Sequence, residues 1–115
     1  MVIQVKETNL ELNTIAKPTV ERSIISICLK HPEKIIDIQE QDITEDMFLI
    51  EANKYIFMAV NYLFHKRQDP TPYAIMEVIS NSKMRKEVED FGGVDYLEVL
   101  STARANVNTN KHYKI

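Results

Sequence analysis

Ala52-Asn53-Lys54-Tyr55-Ile56-Phe57-Met58-Ala59-Val60-Asn61-Tyr62-Leu63-Phe64-His65-Lys66 decides the fold class. Ala52, Tyr55, Ile56, Ala59 and Leu63 recur at the three- and four-residue spacing of one helix face. Phe57, Val60 and Phe64 widen that face over most of the circumference, as in a helix covered by neighbours on several sides. The spacing therefore predicts a long apolar central helix. Lys66 and Arg67 follow at its C-terminal end, where the helix dipole favours cations.

Working outward, proline and glycine divide the chain into short helices. Pro18-Thr19 opens the first, with Thr19 as its expected N-cap. Val20, Ile24, Ile27 and Cys28 then form one stripe. Pro32 ends it, because the residue before a proline is driven out of the helical region. A second helix is expected over 33–40 with Ile35, Ile36 and Ile38, and Thr44 is placed to cap the Glu45-Asp46 turn. Beyond the central helix, Asp69-Pro70-Thr71-Pro72 reads as a rigid turn with a built-in helix start. A fourth helix with Ile75, Val78 and Ile79 runs to Ser80-Asn81-Ser82, and a charged helix covers 83–90. Gly92-Gly93 holds the only two glycines and reads as a left-handed C-cap followed by a free hinge. The next helix buries Tyr96, Leu97 and Leu100, and a last helical stub is expected over 109–115. Residues 1–17 form a flexible N-terminal arm, in which Val2, Ile3 and Val5 suit a short extended piece. Strict polar/apolar alternation is missing from 18–115. The expected fold is all-α, a compact orthogonal bundle of about six short helices around the long apolar one.

Length and composition set the outer bounds. At 115 residues the chain suits one domain, and 44% hydrophobic with 27% charged residues is a globular composition. The single cysteine excludes an internal disulfide framework and fits a reducing compartment. The Met1–Glu7 start lacks a secretory pattern, and no apolar run reaches the ~20 residues of a membrane span. The protein is expected to be cytoplasmic and to have no membrane partner. Seventeen acids against 14 bases argue against intrinsic nucleic-acid affinity, which rests on neutralising phosphates. Lys83, Arg85 and Lys86 cluster, but Glu87, Glu89 and Asp90 follow at once, as on a solvated helix.

Chemistry finds little foothold. Two adjacent glycines cannot build a phosphate-cradling loop, which needs them spaced so that several backbone N–H groups converge. Cys28 and His31 are the best metal pair, at i and i+3, yet Cys28 belongs to the apolar stripe and His31 ends the helix. His65 and His112 stand apart from any ligand pattern. The Tyr55, Tyr62, Phe57 and Phe64 set suits a core better than a base-stacking platform. No catalytic, cofactor-binding or metal-binding residue is expected, and none of these features calls for a cofactor. Ile25, Met47, Phe48, Met58 and Met76 do not all fit one inward face. Phe48, Met58 and Met76 are accordingly the expected apolar protein interface.

Phe91-Gly92-Gly93-Val94-Asp95-Tyr96-Leu97-Glu98-Val99-Leu100 resembles the Gly-Gly-x-x-Tyr-Leu-x-x-Leu segment in the N-terminal domain of the DnaB family of replicative DNA helicases. Other segments are similar to that family in the same order: Val20–Ile25, His31-Pro32-Glu33, Ile43–Phe48 and Asn53–Ala59. Asp69–Pro72 and Asn110–Ile115 match more loosely. Where the family commonly opens its first helix with Glu-Ala-Glu-Gln, Val20-Glu21-Arg22-Ser23 keeps one acid, which points to a phage or divergent member.

The resemblance covers 18–115 as a helicase N-terminal-like domain and stops before the family's helical hairpin, linker and ATPase domain. It assigns Gly92, Gly93, Tyr96, Leu97 and Leu100 to turn and packing, and it implies a collar that pairs with itself, as a dimer or within the parent hexamer. Primase and a helicase loader are the implied partners, in a bacterial or phage-infected cell. ATP and Mg, and contact with DNA, are expected only of the parent enzyme's C-terminal domain. A stand-alone phage protein that binds or imitates the host helicase is the alternative reading. A small DNA-binding bundle is a weaker one, given the charge.

Overall fold

A computed structural model describes residues 17–102. These residues form six α-helices: α1 (Pro18–Lys30), α2 (Ile35–Glu40), α3 (Glu51–His65), α4 (Pro72–Val78), α5 (Ser82–Phe91) and α6 (Gly93–Thr102). Two 3₁₀ turns, Pro32–Lys34 and Glu45–Met47, join the first three helices, and no strand occurs among the described residues. The all-α fold class is as expected. All of the 1–17 arm but Lys17, and the stub over 109–115, lie outside the described residues.

Helix starts follow local chemistry, with some corrections. Pro18 sits at the first position of α1, where no backbone N–H is required, and Lys17 holds the N-cap without a side-chain bond. Thr19 is therefore not the cap. It lies one residue inside the helix, and its carbonyl accepts from Ser23 Oγ at 3.0 Å. Thr44 occupies the N-cap position of the second 3₁₀ turn but makes no side-chain cap bond. The caps that do close are Thr71, whose Oγ1 accepts from Ala74 N at 3.2 Å, and Asn81, whose Oδ1 accepts from Met84 N at 3.0 Å. The 33–40 segment divides at Lys34, and only Ile35 and Ile38 of its three isoleucines turn inward, leaving Ile36 exposed.

The helices close around one core. Ile25 and Cys28 of α1, Ile56, Phe57, Val60 and Leu63 of α3, Ile75 of α4, Val88 of α5 and Leu97 of α6 are fully buried. Helix α1 packs on α3 and α6, α3 on α4 and α5, and α4 on α6. The 15 residues of α3 make it the longest helix, but α1 shares the middle of the molecule with it. Nor is α3 covered all round: Met58 and Tyr62 are exposed, and Tyr55 and Phe64 half-buried. Burying Phe57 in such a core stabilises the fold by roughly 3–5 kcal/mol relative to alanine.

Candidate functional site

Three buried polar side chains hold the ends of this bundle in register. Glu21 on α1 is fully buried, and both its carboxylate oxygens accept hydrogen bonds. Leu49 N donates to Oε2 at 2.8 Å, and Asn53 Nδ2 of α3 donates to Oε1 at 2.9 Å. Asn53 Oδ1 in turn accepts from the Tyr96 hydroxyl of α6 at 2.6 Å. Ser26 Oγ adds a second tie from α1, donating to the Leu100 carbonyl at 2.6 Å. Buried polar groups are tolerable only when paired, and every member of this chain has its partner. Burial pushes the Tyr96 phenol up to about 12, with the nearby Arg22 charge and the Asn53 hydrogen bond pulling the other way.

The Gly92-Gly93 corner aims α6 at that network. Gly92 has φ of 137° and Gly93 of 57°, both in the region that favours glycine. A Cβ on Gly92 would lie 2.7 Å from Tyr96 Cβ. The second glycine is no free hinge: Gly93 is buried and already begins α6, so the turn is a single-residue corner. Phe91 packs edge-on against Tyr96 across it, with ring centres 4.9 Å apart at 80°. Tyr96 is half-buried, and Leu97 and Leu100 lie in the core.

An open groove of about 470 Å³ runs along the uncovered side of α3, walled by α4 and α5. Tyr55, Met58 and Tyr62 form its floor, and Val78, Met84 and Glu77 its sides. Lys66 Nζ lies 5.5 Å above the Tyr62 ring at one end. At the other, the Tyr55 phenol is raised above its usual value, first by its hydrogen bond to the Glu51 carboxylate, then by burial and the charges of Glu51 and Glu87.

Of the three residues expected at an interface, only Met58 lies on this surface. Phe48 is buried against Phe57, the rings stacked 4.7 Å apart at 29°, and Met76 is buried beneath α4. Both correct the sequence reading. An apolar residue off the main helical stripe reads as surplus in one helix, whereas the bundle covers Phe48 and Met76 from a second side. Ile25, off its stripe too, is wholly buried between α1 and its neighbours. Glu21 and Asn53 were missed, because a lone acid in a helix carries no sign of burial. The buried Ile24, Ile25 and Cys28 of the same helix are the available hint.

Elsewhere the polar groups form local pairs. Arg85 and Lys86 bridge to Glu89 and Asp90 at 3.1 and 2.9 Å, so two cations of the basic cluster are paired along α5. His31 sits 3.7 Å from Glu33, while burial pushes the Cys28 thiol up to about 12. Among the described residues no three His, Cys, Asp or Glu side chains gather to hold a metal ion. No described helix is long and apolar enough to cross a membrane.

The family model described as the DnaB-like helicase N terminal domain matches residues 14–115. No curated protein and no solved structure matches the chain significantly.

Proposed function

The chain belongs to the DnaB-like helicase N-terminal domain family, and from that premise we propose that it is a collar module that gathers proteins around a replicative helicase. The match across 102 of the 115 residues, from 14 to 115, carries the reading. In this role residues 18–115 pair with a second copy and dock primase or a helicase loader, and 1–17 serve as an arm. ATP and Mg²⁺ serve the motor domain of the parent helicase, and DNA is engaged through that motor. The setting is the cytoplasm of a bacterial or phage-infected cell. An apolar groove, and the pairing of Arg85 and Lys86 with acids of their own helix, support protein partners over nucleic acid.

Sedimentation of the full 115-residue chain across a concentration series, with titration of the C-terminal domain of the cognate primase, tests this. Self-association or micromolar primase binding is expected, without ATP hydrolysis by the chain itself. A chain that stays monomeric at millimolar concentration and ignores both primase and loader would sink the proposal. Binding to intact host helicase alone would replace it with a stand-alone protein that captures that helicase. A salt-sensitive shift of DNA in a gel would favour a DNA-binding bundle.

A further inference from the structure

The groove along α3 has a shape and a charge pattern that the collar reading does not use. Tyr55, Met58 and Tyr62 stand at i, i+3 and i+7, a ridge roughly 10 Å long on two turns of helix. Val78 and Met84 face it from α4 and α5. A ridge and channel of that period match the side-chain rows of another helix, which can interdigitate with them.

Acids flank the groove, and two of them, Glu51 and Glu87, act on its Tyr55 end. Glu77 lines the groove, Glu51 lies one turn before Tyr55, and Glu87 lies one turn after Met84. None of the three makes a salt bridge among the described residues, although Arg85 and Lys86 on the same α5 are committed to Glu89 and Asp90. Glu51, Glu87, Lys54 and Lys83 all lie outside the residues that line the groove, but only the two acids act on the Tyr55 phenol, Glu51 through a hydrogen bond as well as its charge. The cation that does approach, Lys66, is over Tyr62 at the opposite end.

We infer that this groove takes an amphipathic helix of a partner protein, with lysine or arginine on the turn that meets the Tyr55 end and an apolar stripe against Met58 and Tyr62. The partner helix fills the channel with its stripe, and its cations reach Glu51, Glu77 and Glu87. The opposite charge order would set acids against acids at Tyr55 and leave Lys66 unanswered. The inference rests on the reading of the chain as a docking module and names the chemistry of what docks.

The test uses the full chain, labelled on its methionine methyl groups for NMR, and three synthetic helical peptides of about 18 residues. One carries a leucine stripe with lysines on its first turn. A second has the same composition scrambled to destroy the stripe, and a third has glutamates in place of the lysines. The first should bind and shift the Met58 and Met84 methyl signals, with the scrambled peptide at least about tenfold weaker. Met58→Glu, at an exposed position, should weaken the first peptide about tenfold while leaving the circular-dichroism spectrum unchanged. Glu77→Lys should weaken it roughly two- to fivefold and narrow its advantage over the glutamate peptide.

Equal affinity for the scrambled peptide, or unmoved Met58 and Met84 signals, overturns the inference. Primase bound by the wild-type chain and equally by Met58→Glu overturns the groove assignment and leaves the collar reading standing. Peptide binding in the groove by a chain that ignores helicase, primase and loader does the reverse.

Discussion

At the residue scale, the two glycines and the buried acid carry the sharpest consequences. Gly92→Ala forces a Cβ to within 2.7 Å of Tyr96 Cβ at a φ of 137° that side chains rarely adopt. Gly93→Ala meets only Glu89 Cγ at 3.9 Å, with a left-handed φ of 57°. Urea denaturation should therefore show a loss of ~2 kcal/mol or more for Gly92→Ala and about 1 kcal/mol for Gly93→Ala. Gly93→Val should fall below Gly93→Ala, since a β-branched residue tolerates that backbone least. Equal losses at the two alanine variants would contradict the corner described above.

Glu21→Ala strands the Leu49 N–H and the Asn53 amide without their acceptor, and should destabilise by roughly 2–4 kcal/mol. Tyr96→Phe removes one hydroxyl at the half-buried end of the same chain and should lower stability by about 1 kcal/mol. The double variant should lose less than the sum, because both groups act through Asn53. Strict additivity in a denaturation cycle would show that the three do not form one network.

At the scale of elements, the starts of α4 and α5 depend on a side chain, whereas those of α1, α2 and α3 do not. Thr71→Ala and Asn81→Ala should each lower stability by about 1 kcal/mol, whereas Thr19→Ala should stay within ~0.5 kcal/mol. Thermal melts of the three variants check this ordering. Arg85 joins two elements: Nη1 donates to the Met76 and Ile79 carbonyls at the end of α4, while Nε bridges to Glu89 on its own helix. The helices and their order were legible because proline, glycine and three- or four-residue spacing are local signals. Caps were less so, since Thr19 and Thr71 both adjoin a proline and the two differ only in which side of it they lie on. At Thr19 the proline precedes and takes the first position of the helix. At Thr71 it follows, leaving the threonine outside with its oxygen free to accept.

At the scale of the whole molecule, the sealed core makes the fold sensitive to alkali. Cys28 is pushed from 9.0 to about 12 by burial, and Tyr96 from 10.0 to about 12. Both groups are neutral when protonated, so each folded-state value lies above the unfolded one. Their contribution is complete below about pH 9, and is lost as the unfolded chain releases protons that the folded chain keeps. Stability should thus hold to about pH 9 and then fall toward pH 12, by up to ~1.4 kcal/mol per pH unit for Cys28 and by less for the half-buried, solvent-screened Tyr96. Chemical denaturation from pH 7 to 11 measures this, and Cys28→Ala should flatten the first part of the decline. A profile identical in the two proteins would show that the thiol is not the titrating group.

The all-helical class, the order of the helices, the Gly92-Gly93 corner and the likeness to helicase N-terminal domains are all written in the linear chain. These depend on residue type and spacing along a few turns, which the chain carries locally. Which apolar residues face out and which acid goes in depends on how the helices pack. Phe48, Met58 and Met76 have the same hydrophobic character, yet two are covered by neighbouring elements and one lines a groove. Glu21 looks like any surface carboxylate until α3 and the 49 backbone bring their donors to it across separations of 28 and 32 residues. Burial is a property of the faces that helices present to one another, and that is settled when they pack.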